Sequence, residues 1–357
     1  MPDNAAPGLE KAPTDFRRAR RRSYVDRTDG PPPAASLGLR YITPSEIAKL
    51  QSETGLLGIV GFGVPPPGLA IAACPTTCID VPALDRDNVL EAWTSELPVV
   101  REESHGITAA RNDELLFGCL QMEERDGLAI ATRFAYCQLF DFIDELGYGH
   151  LVRAWNYFPR INADADNLER YQHFTAGRHA AFAARGRTPG PPPAASALGS
   201  RSGALTICFL AARKAGRAVD NPRQVNPNSY PARYGASSPV FSRAMLMPPH
   251  ERVLCISGTA SIVGYRTLHA DDPVQQCEET VANLLSVIAK AQKTGADFRC
   301  PAAKNVFLKA YVRHASHLAP VRACLARAFG PRVNAVYLQA DICRADLLLQ
   351  VEATCLP

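Results

Sequence analysis

The order of elements predicted for the first half of this chain recurs in the second half, and this repeat constrains the fold more than any other feature. In the first half, strand patterns alternate with helical patterns at residues 114–122, 127–146, 151–158, 168–184 and 204–211. In the second half, the same alternation runs through residues 252–263, 275–291, 306–313, 318–329 and 333–351. Corresponding elements lie about 140–155 residues apart, a spacing typical of duplication. The sequence therefore predicts an α+β protein of two related β-α-β-α-β halves, with a single α/β sheet as the alternative.

Proline-rich and polar segments set the predicted domain limits. Residues 31–36 and 191–196 both read Pro-Pro-Pro-Ala-Ala-Ser, and we predict loops there because proline is excluded from helix interiors and central strands. Residues 214–239 are rich in Asn, Pro, Arg and Ser, which favours a connection between the halves. We predict a basic, proline-rich arm at residues 1–37, an N-terminal domain at 38–215 and a C-terminal domain at 216–357.

Composition excludes several classes of protein. A net charge of +4 over 357 residues is too weak a bias to predict a nucleic acid or an anionic membrane as partner. No stretch approaches the roughly 18 consecutive apolar residues of a membrane-spanning helix. The 11 cysteines are scattered through apolar runs, which predicts reduced thiols in a cytoplasmic protein. Neither zinc-ligand spacing nor a glycine-rich nucleotide motif occurs, so we expect no metal and no cofactor.

Arginines stand within otherwise apolar or aromatic strands at Arg153, Arg243, Arg313 and Arg344. Such an arginine most often faces solvent or pairs with a carboxylate. Several together favour a substrate that carries one or two carboxylates, because the guanidinium fork binds planar carboxylates in a bidentate manner.

Several ordered blocks of the sequence resemble the chorismatase family. The most specific blocks are RAWNYFP at 153–159, LERY at 168–171, AGR at 176–178, NPRQV at 221–225, YPARYG at 230–235, SPVFSRA at 238–244, SGTASIVG at 257–264 and DICRADL at 341–347. The resemblance extends from residue 56 almost to the C-terminus. It implies a YjgF-like fold in the second half and an enzyme that removes pyruvate from chorismate. The internal repeat then predicts that the first half is a divergent YjgF-like copy, with the second half the clearer one.

The resemblance also implies a chorismate site lined largely by the second half. In it Arg243 and Arg313 are expected to anchor carboxylates. The expected substrate-binding residues are Arg243, Arg313, Tyr230, Tyr234, Gly258 and Thr259. The expected partner is this small molecule alone, bound by a monomer or a trimer.

The proton donor depends on the register of the last strand. In the family it is a glutamate in a Glu-x-Glu-Ala-like context, and here the sequence reads Gln350-Val351-Glu352-Ala353. If position 350 corresponds to the acid, an amide replaces it; if position 352 corresponds, nothing is missing. Gln350 and Glu352 lie on one face of a strand, and Glu352 is the predicted acid because burial can raise the pKa of a carboxyl group.

The expected products are pyruvate with 3-hydroxybenzoate, 4-hydroxybenzoate or both. Cys343 is a candidate catalytic residue, because a cysteine in this region goes with the ring-aromatising branch of the family; a small buried hydrophobe is the alternative. Two other outcomes stay open. One is hydrolysis of chorismate to a dihydroxycyclohexadiene carboxylate, and the other is a YjgF-like binding or imine-hydrolysing protein without lyase activity.

Overall fold

The computed structural model of the chain describes residues 37–50, 53–64, 74–187, 190–231, 235, 237–294, 297–299 and 303–357. Nearly all of the predicted basic arm, and Tyr234, lie outside the described residues.

The described elements fall into three groups along the chain. The first group comprises β1 (Gly38–Ile42), α1 (Ile47–Leu50), β2 (Leu56–Phe62), β3 (Thr76–Ile79) and β4 (Val89–Thr94). The second comprises β5 (Val100–Ser104), β6 (Ile107–Arg111), β7 (Leu115–Met122), α2 (Leu128–Glu145), β8 (His150–Pro159), β9 (Asp164–Ala165), β10 (Leu168–Glu169), α3 (Arg170–Ala184), β11 (Ala194–Ser200) and β12 (Leu205–Ala212). The third comprises β13 (Arg217–Val219), β14 (Ala244–Leu246), β15 (Leu254–Thr259), β16 (Ile262–Val263), β17 (Arg266–Thr267), α4 (Pro273–Gln292), β18 (Val306–Val312), α5 (Leu318–Phe329), β19 (Asn334–Gln339), β20 (Asp341–Ile342) and β21 (Leu349–Cys355).

The two large sheets share one strand arrangement. The first runs β5-β6-β7-β12-β8-β11-β20, and the second runs β13-β14-β15-β21-β18-β19. In each sheet the pair that spans the second helix is parallel, β8 with β11 and β18 with β19. The other pairs of the repeated part are antiparallel. The predicted α+β class and the predicted repeat are therefore confirmed, and the alternative of a single α/β sheet is wrong.

Two parts of the fold differ from the sequence expectation. The first group forms a separate four-stranded sheet, β1-β4-β2-β3, which the repeat does not contain. The loop predicted at residues 191–196 is wrong from Ala194 onward, where β11 pairs with β8 in parallel. The prolines end at residue 193, so every following backbone N–H can join the ladder of hydrogen bonds.

The helices cover one face of each large sheet and leave the other faces to pack together. α2 and α3 bury aromatic side chains such as Phe140 and Phe182 against the first sheet, and α4 and α5 cover the second. The helix-free faces meet the small sheet in a core that includes Trp93, Trp155 and Tyr311. Full burial of such side chains contributes about 1.5–3 kcal/mol each. In the described part of the chain, no helix has the length and apolar character needed to cross a membrane.

α3 approaches α2 closely at Gly177, and this contact fixes the face that α3 turns to the cavity described below. A Cβ at Gly177 would lie 2.2 Å from the carbonyl oxygen of Ala129, so only glycine permits this helix separation. The buried side of α3 includes Phe174, Thr175 and Arg178. A buried arginine on this face needs polar partners or a ligand, because burying an uncompensated charge is costly.

Candidate active site

A cavity lies between the two halves, where α3 and β11 of the first meet β15 and β21 of the second. It has two chambers with empty volumes of about 460 and 730 Å³. Both chambers are lined by Tyr171, Pro239, Phe241, Gly258, Cys343 and Gln350. We call them chamber one and chamber two.

Arg178 lines chamber one as a buried cation with unused hydrogen-bond donors. Its side chain stacks over the rings of Tyr136 and Phe182 at 5.0 and 5.1 Å, and Nη1 donates to the carbonyl oxygen of Val240. Its Nε and Nη2 have no hydrogen-bond partner in the structure. Chamber one therefore offers two donor nitrogens of a fixed guanidinium, Nε and Nη2, to an anion.

Arg243 is the corresponding buried cation of chamber two. Its Nη2 donates to the carbonyl oxygen of Val225 at 2.7 Å and to the hydroxyl of Tyr230 at 2.8 Å. Its Nε has no hydrogen-bond partner in the structure. Arg344 also lines this chamber, and its Nη1 donates to the carbonyl oxygen of Tyr265. The structure thus places Arg243 and Tyr230 in the cavity, as expected from the sequence.

Gln350 stands where the chambers meet. Its amide nitrogen Nε2 is buried without a hydrogen-bond partner in the structure. A Cβ at Gly258 would lie 2.1 Å from this nitrogen, so the missing side chain at 258 is what makes room for the amide. The junction therefore presents a neutral hydrogen-bond donor between two arginines.

Gly258→Ala tests this close approach. The far end of Gln350 can move, so we expect little change in melting temperature. The displaced amide and the added methyl group narrow the junction, and we expect KM for the substrate proposed below to rise about tenfold, equivalent to about 1.4 kcal/mol. Steady-state kinetics and thermal unfolding of both proteins measure this. An unchanged KM would show that the junction does not contact substrate.

Cys343 and Tyr171 face the cavity as neutral groups. Desolvation by burial raises the pKa of the Cys343 thiol and of the Tyr171 hydroxyl above their ordinary values. A thiol in this state is a poor nucleophile. Among the described residues, no group of three or more His, Cys, Asp or Glu side chains could hold a metal ion.

Arg313 does not line either chamber, in contrast to the anchoring role expected from the sequence. Its guanidinium donates to Asn162 Oδ1, to Asp341 Oδ1 and to the carbonyl oxygens of Ile342, Arg344 and Leu347. It therefore positions the segment that carries Cys343 and Arg344. Thr259 also lies outside the lining, and its hydroxyl donates to the carbonyl oxygen of Ser257.

Glu352 lies behind the cavity wall, in a cluster of four buried charges that we call the buried charge cluster. Its members are Glu91 on β4, Arg153 on β8, Lys309 on β18 and Glu352 on β21, and each residue is at most 4% exposed. Glu352 pairs with Arg153 and lies 3.2 Å from Lys309 Nζ, which is 2.5 Å from Glu91.

Three further groups donate hydrogen bonds to Glu352. Tyr311 and Ser196 donate through their hydroxyls at 2.8 Å, and Trp155 donates through Nε1 at 3.0 Å. The geometry thus places Glu352 outside the lining of both chambers, rather than in the direct substrate contact that the sequence led us to expect. Of the two candidate positions for the acid, 350 is the one that faces the cavity.

Some lining residues are absent from the sequence-based site. Arg178 belongs to one of the recognised blocks, and its spacing from Tyr171, Phe174 and Thr175 places all four on one helix face. That periodicity is the signal that could have identified it. Ser196 lines chamber one from β11, and the incorrect loop prediction for this segment concealed it.

Comparisons with known proteins show which family this chain resembles. Residues 91–211 match the family model described as chorismatase FkbO/Hyg5-like, N-terminal. A chorismatase from Streptomyces rapamycinicus is 36% identical over 311 residues, covering 85% of this chain and 93% of that protein. A 3-hydroxybenzoate synthase from Streptomyces hygroscopicus is 33% identical over 315 residues, covering 83% of this chain and 90% of that protein.

A crystal structure of a chorismatase superposes with a TM-score of 0.83 at 33% identity, covering 90% of this chain and 99% of that one. The likeness therefore extends over both halves of the fold and over the cavity between them. This chain belongs to the chorismatase family.

Proposed function

We propose that the protein converts chorismate into pyruvate and a hydroxybenzoate in the cavity between its halves. The observation that carries the proposal is the pair of buried arginines, Arg178 and Arg243, with unused donors in adjoining chambers. Chorismate has one carboxylate on its ring and one on its enolpyruvyl side chain, so each carboxylate can form charge-assisted hydrogen bonds with one of the two arginines. The relatives named chorismatase and 3-hydroxybenzoate synthase support this substrate and product.

In this arrangement the ether bridge of chorismate lies at the junction, beside Gln350 Nε2. The reaction begins when the methylene carbon of the enol ether gains a proton, which leaves positive charge on the neighbouring carbon. The ring C–O ether bond then breaks with its electrons on the oxygen, which becomes the carbonyl oxygen of pyruvate. The ring cation that remains keeps its hydroxyl group and loses one C–H proton as it becomes aromatic. Hydroxybenzoic acid and pyruvic acid together contain the atoms of chorismic acid, so this route consumes neither water nor an oxidant.

Cys343 supports aromatisation over hydrolysis. Hydrolysis to the dihydroxycyclohexadiene carboxylate consumes one water, which needs access to the reacting carbon. The neutral Cys343 thiol lines both chambers together with Phe241 and Pro239, so apolar surfaces border the junction and offer no hydrogen bond to a hydrolytic water. We therefore propose hydroxybenzoate as the main product.

A second candidate, binding of chorismate without turnover, is favoured by Gln350. An amide cannot act as a general acid near neutral pH. Among the described lining residues of both chambers, Glu169 carries the one carboxyl group, and its Oε1 accepts a hydrogen bond from Asn162. If neither Gln350 nor Glu169 supplies the proton for the methylene carbon and no other group does, chorismate binds without reacting.

Pyruvate release distinguishes the two candidates. We expect the purified protein to release pyruvate from chorismate above the rate measured with heat-denatured protein. A rise in melting temperature with chorismate, without any pyruvate, would contradict lyase activity and support binding alone.

A further inference from the structure

The segment 341–347 folds around the guanidinium of Arg313. The Nε and Nη2 atoms of this side chain donate to three backbone carbonyl oxygens of the segment, those of Ile342, Arg344 and Leu347, at 3.3, 2.9 and 2.9 Å. Its Nη1 donates to Asp341 Oδ1 at 2.6 Å and to Asn162 Oδ1 at 3.1 Å. A guanidinium has five N–H groups, so the five acceptors use all of them.

The segment that surrounds this guanidinium is a wall of the cavity. Cys343 lines both chambers, and Arg344 and Leu347 line chamber two. Three backbone carbonyl oxygens that converge on one place need donors there, because a carbonyl left without a partner on folding is costly. The donors of Arg313 therefore stabilise this path of the backbone, and with it the positions of the lining side chains.

Asn162 extends these contacts to the first half of the chain. Its Nδ2 donates to Glu169 Oε1 and to the carbonyl oxygen of Ile342, both at 2.9 Å. Glu169 lies directly before α3 and lines chamber two. Through this one amide, the guanidinium of Arg313 connects two parts of the chamber wall that come from different halves.

We propose, building on the proposed function, that Arg313 is a positioning residue for the conversion of chorismate, and that it holds the segment 341–347 against the cavity. Arg313 does not line either chamber, so it acts through the side chains of this segment. A lysine cannot replace it, because the donors of an ammonium group leave from one point and do not form the planar fork of a guanidinium.

Arg313→Ala with chemical rescue measures the effect on the reaction. Without the guanidinium the segment loses its donors, and we expect kcat/KM for pyruvate release to fall about 100-fold. Guanidinium ion, added below the onset of unfolding, should restore most of the loss. It can enter from solvent because the side chain of Asp341 beside the vacated space is 52% exposed. Sodium chloride at the same concentration should restore nothing.

Alkylation of Cys343 reports on the segment without any need for turnover. The full-length proteins are labelled with N-ethylmaleimide, and mass spectrometry of their peptides gives the rate at each thiol. Cys343 and Cys137 are both half-buried, and Cys137 lies on α2, outside the lining of both chambers. We expect Arg313→Ala to raise the rate at Cys343 about tenfold through local opening, with no change at Cys137. Guanidinium ion should lower the Cys343 rate again.

Arg185→Ala is the control variant for both measurements. It also removes a guanidinium that pairs with a carboxylate, but that pair, with Asp141, lies on the surface. Its kcat/KM and its alkylation rates should match those of the wild type.

An unchanged Cys343 rate in Arg313→Ala overturns the proposal. An equal rise at Cys137 also overturns it, because the whole fold is then looser. So does a wild-type kcat/KM in this variant, or a loss that guanidinium ion does not restore. A wild type that releases no pyruvate overturns the proposed function itself, and the alkylation rates then decide whether Arg313 holds the segment. If Arg313→Ala does not fold, Arg313→Lys replaces it, because it keeps the charge but not the fork and should also raise the Cys343 rate.

Discussion

Replacing Arg243 with methionine should lower kcat/KM for pyruvate release from chorismate about 100-fold. A hydrogen bond to a charged group contributes about 1.5–3 kcal/mol, and about 2.7 kcal/mol corresponds to a factor of 100. Methionine keeps the apolar volume beside Phe241 but removes the guanidinium that faces chamber two. Arg178→Met should have a similar effect through chamber one. Initial rates over a range of chorismate concentrations measure both.

Arg185→Met serves as the control for both variants. Arg185 follows α3 directly, and it forms a surface ion pair with Asp141 in which both side chains are more than a third exposed. Its replacement should leave kcat/KM within about twofold, because exposed pairs contribute about 0–1 kcal/mol. A decrease of less than about threefold in Arg243→Met would contradict the assignment of this residue as a carboxylate anchor.

Lys309→Met should lower the free energy of unfolding by about 3–5 kcal/mol. Lys309 Nζ lies between the carboxylates of Glu91 and Glu352, so its loss leaves two buried negative charges with Arg153 as the remaining cation of the cluster. Removing one partner of a buried pair is much more damaging than removing an exposed one, because the other charge stays desolvated. Denaturant unfolding, with Arg185→Met as the exposed counterpart, measures the difference.

A second substitution separates charge imbalance from loss of packing. Glu91→Gln added to Lys309→Met restores the balance of one cation and one anion in the cluster. We expect the double variant to be more stable than Lys309→Met alone, since the two sites contact each other and their effects do not add. A single variant within about 1 kcal/mol of the wild type would show that the cluster contributes little to stability.

The repeat could be predicted from the sequence because the hydrophobic periodicity of each element is a local property of the chain. Most helices and central strands of the two large sheets have their own hydrophobic periodicity, and these patterns recur at similar spacings of about 140–155 residues. The small sheet has no counterpart in the second half, so the repeat could not reveal it. β11 was concealed by the prolines directly before it, although proline restricts only the residues that it occupies and the residue before it.

The site was partly predictable, because residue type indicates chemistry but not orientation. Arg243, Tyr230, Gly258, Cys343 and Gln350 were expected in the site, and the structure places all five in the cavity wall.

Arg313 is an arginine like Arg243, yet its guanidinium donates to backbone carbonyl oxygens rather than facing the cavity. That outcome depends on how the segment at 341–347 folds over β18, and no local pattern encodes it.

The sequence also could not determine whether residue 350 or residue 352 faces the cavity. Gln350 and Glu352 share one face of β21, as strand alternation requires. Two residues of a strand span about 6.6 Å, and over that distance the side-chain surroundings change: Gln350 lines both chambers, whereas Glu352 pairs with Arg153 and Lys309. One side chain therefore faces the substrate cavity and the other faces the buried charge cluster. The domain limits at residues 37 and 215 and the cytoplasmic location stay predictions.

Product-resolved turnover of chorismate tests the central claim most directly. Purified full-length protein is incubated with chorismate, pyruvate is quantified, and the 3-hydroxybenzoate, 4-hydroxybenzoate and dihydroxycyclohexadiene carboxylate are separated and measured. We expect one hydroxybenzoate for each pyruvate released. Recovery of unchanged chorismate, with no pyruvate over a range of pH, would contradict the claim and leave a chorismate-binding member of the family.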